Sequence, residues 1–244
     1  MIVSQAIATC IQNFKTTGTV FGDGQRNMIK LFTVDGTTIN IKSFKIPNII
    51  NQIAYKYFRK SKARRSYEYA VKLLQSGIGT PEPLAYVEHF NWLGLQTSFY
   101  ASEHLQAELT FRELELQPDY PDHENILRQF TVFTYLLHQK GIEFLDHSPG
   151  NTLIKNEGNA RYSFYLVDLN RMNFHDAMSF DLRMKNFSRL TPKKELIEIM
   201  SDEYAKLYDK SYDAIFDKMC FYAEDFKIRL QRKKARKKKL LFWR

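Results

Sequence analysis

Cysteine is almost absent from this chain, and the two residues present, Cys10 and Cys220, lie far apart and in no Cys-x-x-Cys or Cys/His cluster. That spacing excludes a disulfide framework and a thiolate zinc site. The six histidines show no ligand spacing, so no structural metal is expected. Long apolar runs are missing as well. The N-terminal MIVSQAIATCIQNFK lacks a basic leader and is broken by Gln5 and Gln12, and no uncharged stretch approaches the roughly 20 residues that span a bilayer. A cytoplasmic, reducing location is expected. With no repeats or low-complexity linkers, 244 residues that are 44% hydrophobic suffice for one substantial domain or two small lobes sharing a cleft.

Acidic residues are scarce only at one end. The net charge of +9 suggests a nucleic-acid partner until it is located: Lys227 to Arg244 holds ten of the 36 Lys and Arg residues and no acid, leaving 26 against 27 Asp and Glu before it. The body is neutral, and the basicity belongs to a tail.

What is present is ordered. GTVFGDGQRN, MIKLFTV and TINIKSF alternate with turn signals at the glycines and at Asp35-Gly36, which predicts a three-strand meander. After Pro47 the period becomes helical, with Ile53, Ala54, Tyr57, Phe58 and then Ala63, Tyr67, Ala70, Val71, Leu74 before a stop at Gly77. One or two helices follow the meander. Two further strands after Pro81 and Pro83 complete a five-strand sheet. Asp122 reads as the cap of a helix from about His123 to Lys140, stopped by Gly141. TLIK and YSFYLVD flank the turn-rich NEGNA as a hairpin, and the rest to about Leu230 reads as helix.

The hairpin turns spacing into chemistry. Asn151 immediately precedes its first strand and Asp168 ends its second, so antiparallel pairing brings both to one end, with Asp146 in the preceding loop LDHSPGN. Hard oxygen donors of this kind suit Mg²⁺ that also holds phosphates. Asn151 and Asp168 would hold the metal, leaving Asp146 to orient or deprotonate a hydroxyl.

The order of glycine-rich turn, Lys42 in NIKSF, Glu68, Asp146 to Asn151 and Asp168 in VDLN resembles protein-kinase-like phosphotransferases over about residues 16 to 190. Through GDGQRN, IKSFK, RRSYEYAVKLLQSGIGTPEP and MKNFSRL it is most similar to the lipopolysaccharide kinase (Kdo/WaaP) family. The resemblance implies an α+β, bilobal kinase-like fold: a nucleotide-binding N-lobe (1–105), a mainly helical C-lobe with the catalytic hairpin (106–226), and the tail (227–244). It implies ATP and Mg²⁺ as cofactors. Gly22 and Gly24 would approach phosphate, Lys42 would contact the α/β-phosphates while held by Glu68, and Ser102, Glu103, His104 and Leu105 would form the hinge to adenine. Three positions depart from protein kinases: Phe144 replaces a His, Ser148 a Lys, and Asp-Leu-Asn lacks the glycine. With no Ala-Pro-Glu, these count against a protein substrate.

Plainer readings compete. Arg64 and Lys72 flank Glu68 at one-turn spacing and would form ordinary helix pairs. Lys30 and Lys45 are strand lysines like Lys42, but alternation puts Lys42 on one face with the apolar Phe44. His147 is expected at the surface. The tail could be a solvated helix or a disordered arm, but its ending LLFWR beside the cations suits an anionic membrane interface. The function implied is an ATP-dependent kinase for a Kdo or heptose hydroxyl of the lipid A inner core, a lipid-linked sugar at the inner membrane face. The rivals are another small-molecule or protein kinase, or a pseudokinase that binds RNA through the tail; nucleic acid is the disfavoured partner.

Overall fold

The computed structural model describes residues 3–22 and 27–242; Gly24, Trp243 and Arg244 lie outside them. The chain divides into two compact units, Met1–Gln106 with Leu166–Arg171, and Ala107–Tyr165 with Met172–Arg244.

The first unit opens with a helix that alternation alone does not predict, α1 (Gln5–Gln12), capped by the Ser4 hydroxyl accepting from the Ile7 amide. Ile7 and Ile11, one turn apart, bury against Ile39, Ile41 and Phe99. Strands β1 (Thr19–Phe21), β2 (Met28–Val34) and β3 (Thr37–Phe44) form the expected meander. The β2–β3 turn carries positive φ at Asp35 and Gly36, 49° and 77°, as a tight two-residue hairpin requires. Two helices follow, α2 (Ile49–Tyr57) and α3 (Lys62–Gln75), and Gly77 ends the second at φ 69°. Strands β4 (Pro83–Phe90) and β5 (Leu95–Glu103) complete an antiparallel five-stranded sheet in the order β1-β2-β3-β5-β4.

The second unit runs through β6 (Leu109–Thr110), α4 (Phe111–Leu116), α5 (His123–Gln139) and β7 (Ile142–Phe144) to a 3₁₀ turn at Pro149–Asn151. The predicted hairpin is β8 (Thr152–Gly158) and β9 (Arg161–Leu166), with positive φ at Gly158, Asn159 and Ala160. β10 (Met172–Phe174) pairs antiparallel with β7, and α6 (Phe180–Asn186), α7 (Lys194–Ala205) and α8 (Tyr212–Phe242) finish the chain. Phe130 of α5 centres the core, its ring 4.7 Å from Phe111 and 5.8 Å from Phe164.

One expectation changes. Asp122 sits at the N-terminus of α5 but at φ 61°, and its side chain caps nothing there, bonding Asn125 Nδ2 at 2.7 Å instead. A capping oxygen needs extended backbone to reach the first-turn amides, and the left-handed conformation turns it away. Of the two readings of the basic tail the structure has the helix: its backbone continues α8 to Phe242, with Lys227 and Arg229 paired to Glu224 and Asp225.

Candidate active site

In the first unit, alternation along β3 sends Ile39 and Ile41 into the core and Lys42 to the other face with Phe44, over whose ring its ammonium lies at 5.4 Å. Lys42 Nζ donates to Asp168 Oδ1 at 2.8 Å. The competing lysine, Lys30, is spent structurally on the Lys15 and Thr17 carbonyls, 3.3 and 2.8 Å away.

Asp168 lies two residues beyond the end of β9, in a segment held to this unit by the Leu166 amide on Gly79 O and by Thr80 Oγ1 donating to Leu166 O. Its φ of 58° is a conformation that side-chain-bearing residues adopt at a cost, Asp and Asn least. The Asn170 amide donates to the same oxygen, Oδ1, at 2.6 Å. Asn170 is the residue standing where protein kinases carry glycine, so the departure supplies a second clamp on the carboxylate. Among the described residues the other oxygen of Asp168 accepts no hydrogen bond.

Glu68 does not meet Lys42. It accepts from Arg64 at 2.9 Å, the plainer helix pairing, and from Lys60, which lies ahead of α3, at 2.7 Å. These partners hold its carboxyl below the usual range despite the burial that opposes them. Gly22 has φ 83° and open space where a Cβ would stand, the freedom a phosphate-approaching turn needs. In the segment expected to form the hinge, Ser102 is buried, the Glu103 amide bonds Glu82 O, and the His104 amide bonds Thr38 O. The Leu105 amide makes no backbone bond among the described residues. The His104 ring meets Phe21 edge-on at 5.1 Å.

In the second unit Asp146 and Asn151 come together. The Asn151 side-chain amide donates to the Asp146 carbonyl at 2.8 Å, and the Ser148 amide does so at 2.7 Å, winding the loop tightly. Among the described residues the Asn151 amide oxygen accepts no hydrogen bond. Asp146 Oδ1 accepts from Arg189 Nη2 at 2.7 Å, and Arg189 also bonds Leu145 O and lies over the Phe226 ring. Neither Arg189 nor Asn170 stands out from spacing alone. Arg189 does fall within MKNFSRL, one of the segments carrying the family resemblance.

His147 is fully buried, not at the surface. The rings of Phe130 and Phe144 stand 5.5 and 5.7 Å from it, and neither ring nitrogen has a hydrogen-bond partner among the described residues. Burial lowers its pKa from 6.5 to about 3. His138, bonded to Tyr204 and Asn186, is likewise lowered by burial to about 3, with His147 and Arg183 adding to the effect. A folded pKa below the unfolded value means that the unfolded chain takes up protons first. Stability is therefore full above pH 6.5 and lost as pH falls toward 3. Each histidine should cost about 2 kcal/mol between pH 7 and 5. Urea unfolding should show that loss, and His147→Leu, similar in size and without orphaned nitrogens, should remove about half of it. An unchanged acid slope in that variant would contradict the assignment.

No protein-family model matches the sequence, and no curated protein matches it. Solved structures do. WaaP in complex with acyl carrier protein matches with a TM-score of 0.64 at 14% identity, covering 95% of this chain and 98% of that one. The MAP kinase LmaMPK10 from Leishmania major matches with a TM-score of 0.47 at 13% identity, over 87% of this chain and 65% of that one. The chain has the protein-kinase-like α+β fold that its sequence resemblance implies, in the form seen in WaaP.

Proposed function

We propose that this protein is an ATP- and Mg²⁺-dependent kinase acting on a Kdo or heptose hydroxyl of the lipopolysaccharide inner core. The observation that carries it is the Lys42–Asp168 pair, 126 residues apart in sequence yet bonded at 2.8 Å, the two charges that phosphoryl transfer needs at one nucleotide.

Lys42 would bind the α/β-phosphates beneath the Gly22 turn, with adenine against the hinge segment at Leu105. Gly24 would likewise approach phosphate, and Glu68 would exchange its present partners for Lys42 only if α3 moves. Asp168 and Asn151 would supply side-chain oxygens to Mg²⁺, a hard cation that keeps oxygen ligands. When bound, the metal neutralises charge on the β- and γ-phosphates. Arg189 fixes one oxygen of Asp146, leaving the other to take the proton of the attacking hydroxyl as its oxygen bonds to the γ-phosphorus and the bond to the β-phosphate oxygen breaks. The exposed cations of the tail, from Arg232 to Arg236, would draw the enzyme to an anionic membrane, each contributing about 1 kcal/mol.

The test is phosphate transfer from Mg·ATP to purified inner-core lipid A precursors, read as added mass, beside aminoglycosides and a generic protein substrate. Phosphate on the lipid-linked sugar alone is expected. Transfer to an aminoglycoside or protein instead reassigns the acceptor. ATP binding without any transfer makes the chain a pseudokinase.

A further inference from the structure

Helix α2 is inside out. Its buried residue is Gln52, whose amide bonds Pro47 O at 2.9 Å and whose oxygen accepts from Gln96 at 2.8 Å. Ile49, Ile50, Ile53 and Tyr57 instead share one stripe and are 60%, 79%, 37% and 63% exposed. Phe58 at the C-cap and Trp92 in the β4–β5 turn are more exposed still, at 82% and 85%. Lys56 Nζ ties that turn to the helix through the Asn91 and Trp92 carbonyls. An apolar face of this extent, on a helix that buries its glutamine, marks a contact surface.

Charge says which kind. Residues 45–67 contain seven Lys and Arg and no acid. Lys60 and Arg64 are engaged by Glu68. Lys45, Arg59, Lys62, Arg65 and Arg171 line a cleft of about 430 Å³ within the first unit, with no carboxylate in its wall. None of these five forms an ion pair among the described residues. Arg65 Nε is buried without a partner. Burial lowers the Lys62 pKa, and Arg171, Arg65 and Lys42 add to that against the pull of Asp168. Ile46 and Tyr55 belong to the same wall, so the cleft runs onto α2. Aliphatic residues with Tyr, Trp and uncompensated cations are the composition of a helix lying in an anionic headgroup layer.

We infer that this face of the first unit docks on an anionic phospholipid bilayer, with the α2 stripe and Trp92 in the headgroup region and a lipid phosphate in the cleft. The surface is distinct from the tail; its cleft reaches Asn170, which clamps Asp168, but Lys45, Ile49, Ile50, Phe58 and Arg59 take no part in the proposed transfer.

The test is sedimentation of the full chain with phosphatidylcholine vesicles, with and without phosphatidylglycerol. Wild type should prefer the anionic vesicles. The triple variant Ile49→Ser, Ile50→Ser, Phe58→Ser, at exposed positions and with a circular dichroism spectrum matching wild type as the folding check, should lose about tenfold or more in binding. Lys45→Gln with Arg59→Gln should weaken the preference for anionic lipid, and should erase it when combined with the tail substitutions. Lys233→Gln, Lys234→Gln, Arg236→Gln should leave the effect of the triple variant in place, and Asp146→Asn should bind as wild type even if the kinase reading fails. Wild-type binding by the triple variant overturns the inference, as does loss confined to the tail variant. Absence of vesicle binding, with the triple substitution converting a dimer to monomer, gives the face to a second copy and also overturns it.

Discussion

Asp168→Ala is expected to reduce Mg·ATP-dependent transfer by about 10³-fold or more, the scale of losing a group that stabilises charge at the transferring phosphate. The substitution removes a proposed metal ligand and the partner of Lys42 together. Alanine also fits poorly at φ 58°, which by itself costs about 1 kcal/mol of stability. Asp168→Asn separates the two effects, because Asn tolerates that backbone and can still accept from Lys42. A thermal melt near wild type with turnover equally lost in both variants isolates the chemistry. Full activity in Asp168→Asn would remove Asp168 from the metal site.

Asp146→Asn is expected to bind nucleotide as wild type and transfer phosphate about 10² to 10⁴-fold more slowly, the usual contribution of a positioned base. The amide is isosteric and its oxygen can still accept from Arg189, so geometry is largely kept while the acceptor of the proton is lost. Single-turnover transfer beside nucleotide titration checks this. Equal rates would leave Asp146 a structural partner of Arg189 and no base.

Much of this architecture was legible because local rules sufficed. Period two placed Lys42 on the face of Phe44, Asp35-Gly36 made the hairpin, and Gly77 ended α3, each through backbone preferences that neighbours do not override. Other features depended on distant chain. Glu68 carries the spacing for an ordinary pair with Arg64, and only the approach of Lys60 completes that choice over Lys42. Arg189 reaches Asp146 across 43 positions of sequence, beyond the reach of periodicity. His147 sits among polar loop residues and reads as exposed, yet the phenylalanines of α5 and β7 close over it. Asp122 carries the right residue type for a cap, while its backbone takes the left-handed turn that prevents one. The fold of α2 was visible as a helix, but its orientation was not, because apolar spacing says which residues share a face and not whether that face meets protein.

The continuous backbone of α8 gives the tail a mechanical character. From Lys227 to Phe242 the helix extends about 24 Å at 1.5 Å per residue. Charges carried on a strut arrive at a fixed height and a fixed azimuth, whereas charges on a leash search a sphere. Inserting one residue near Phe226 would swing everything beyond it by about 100°, a change that a leash would absorb and this helix would transmit to its tip.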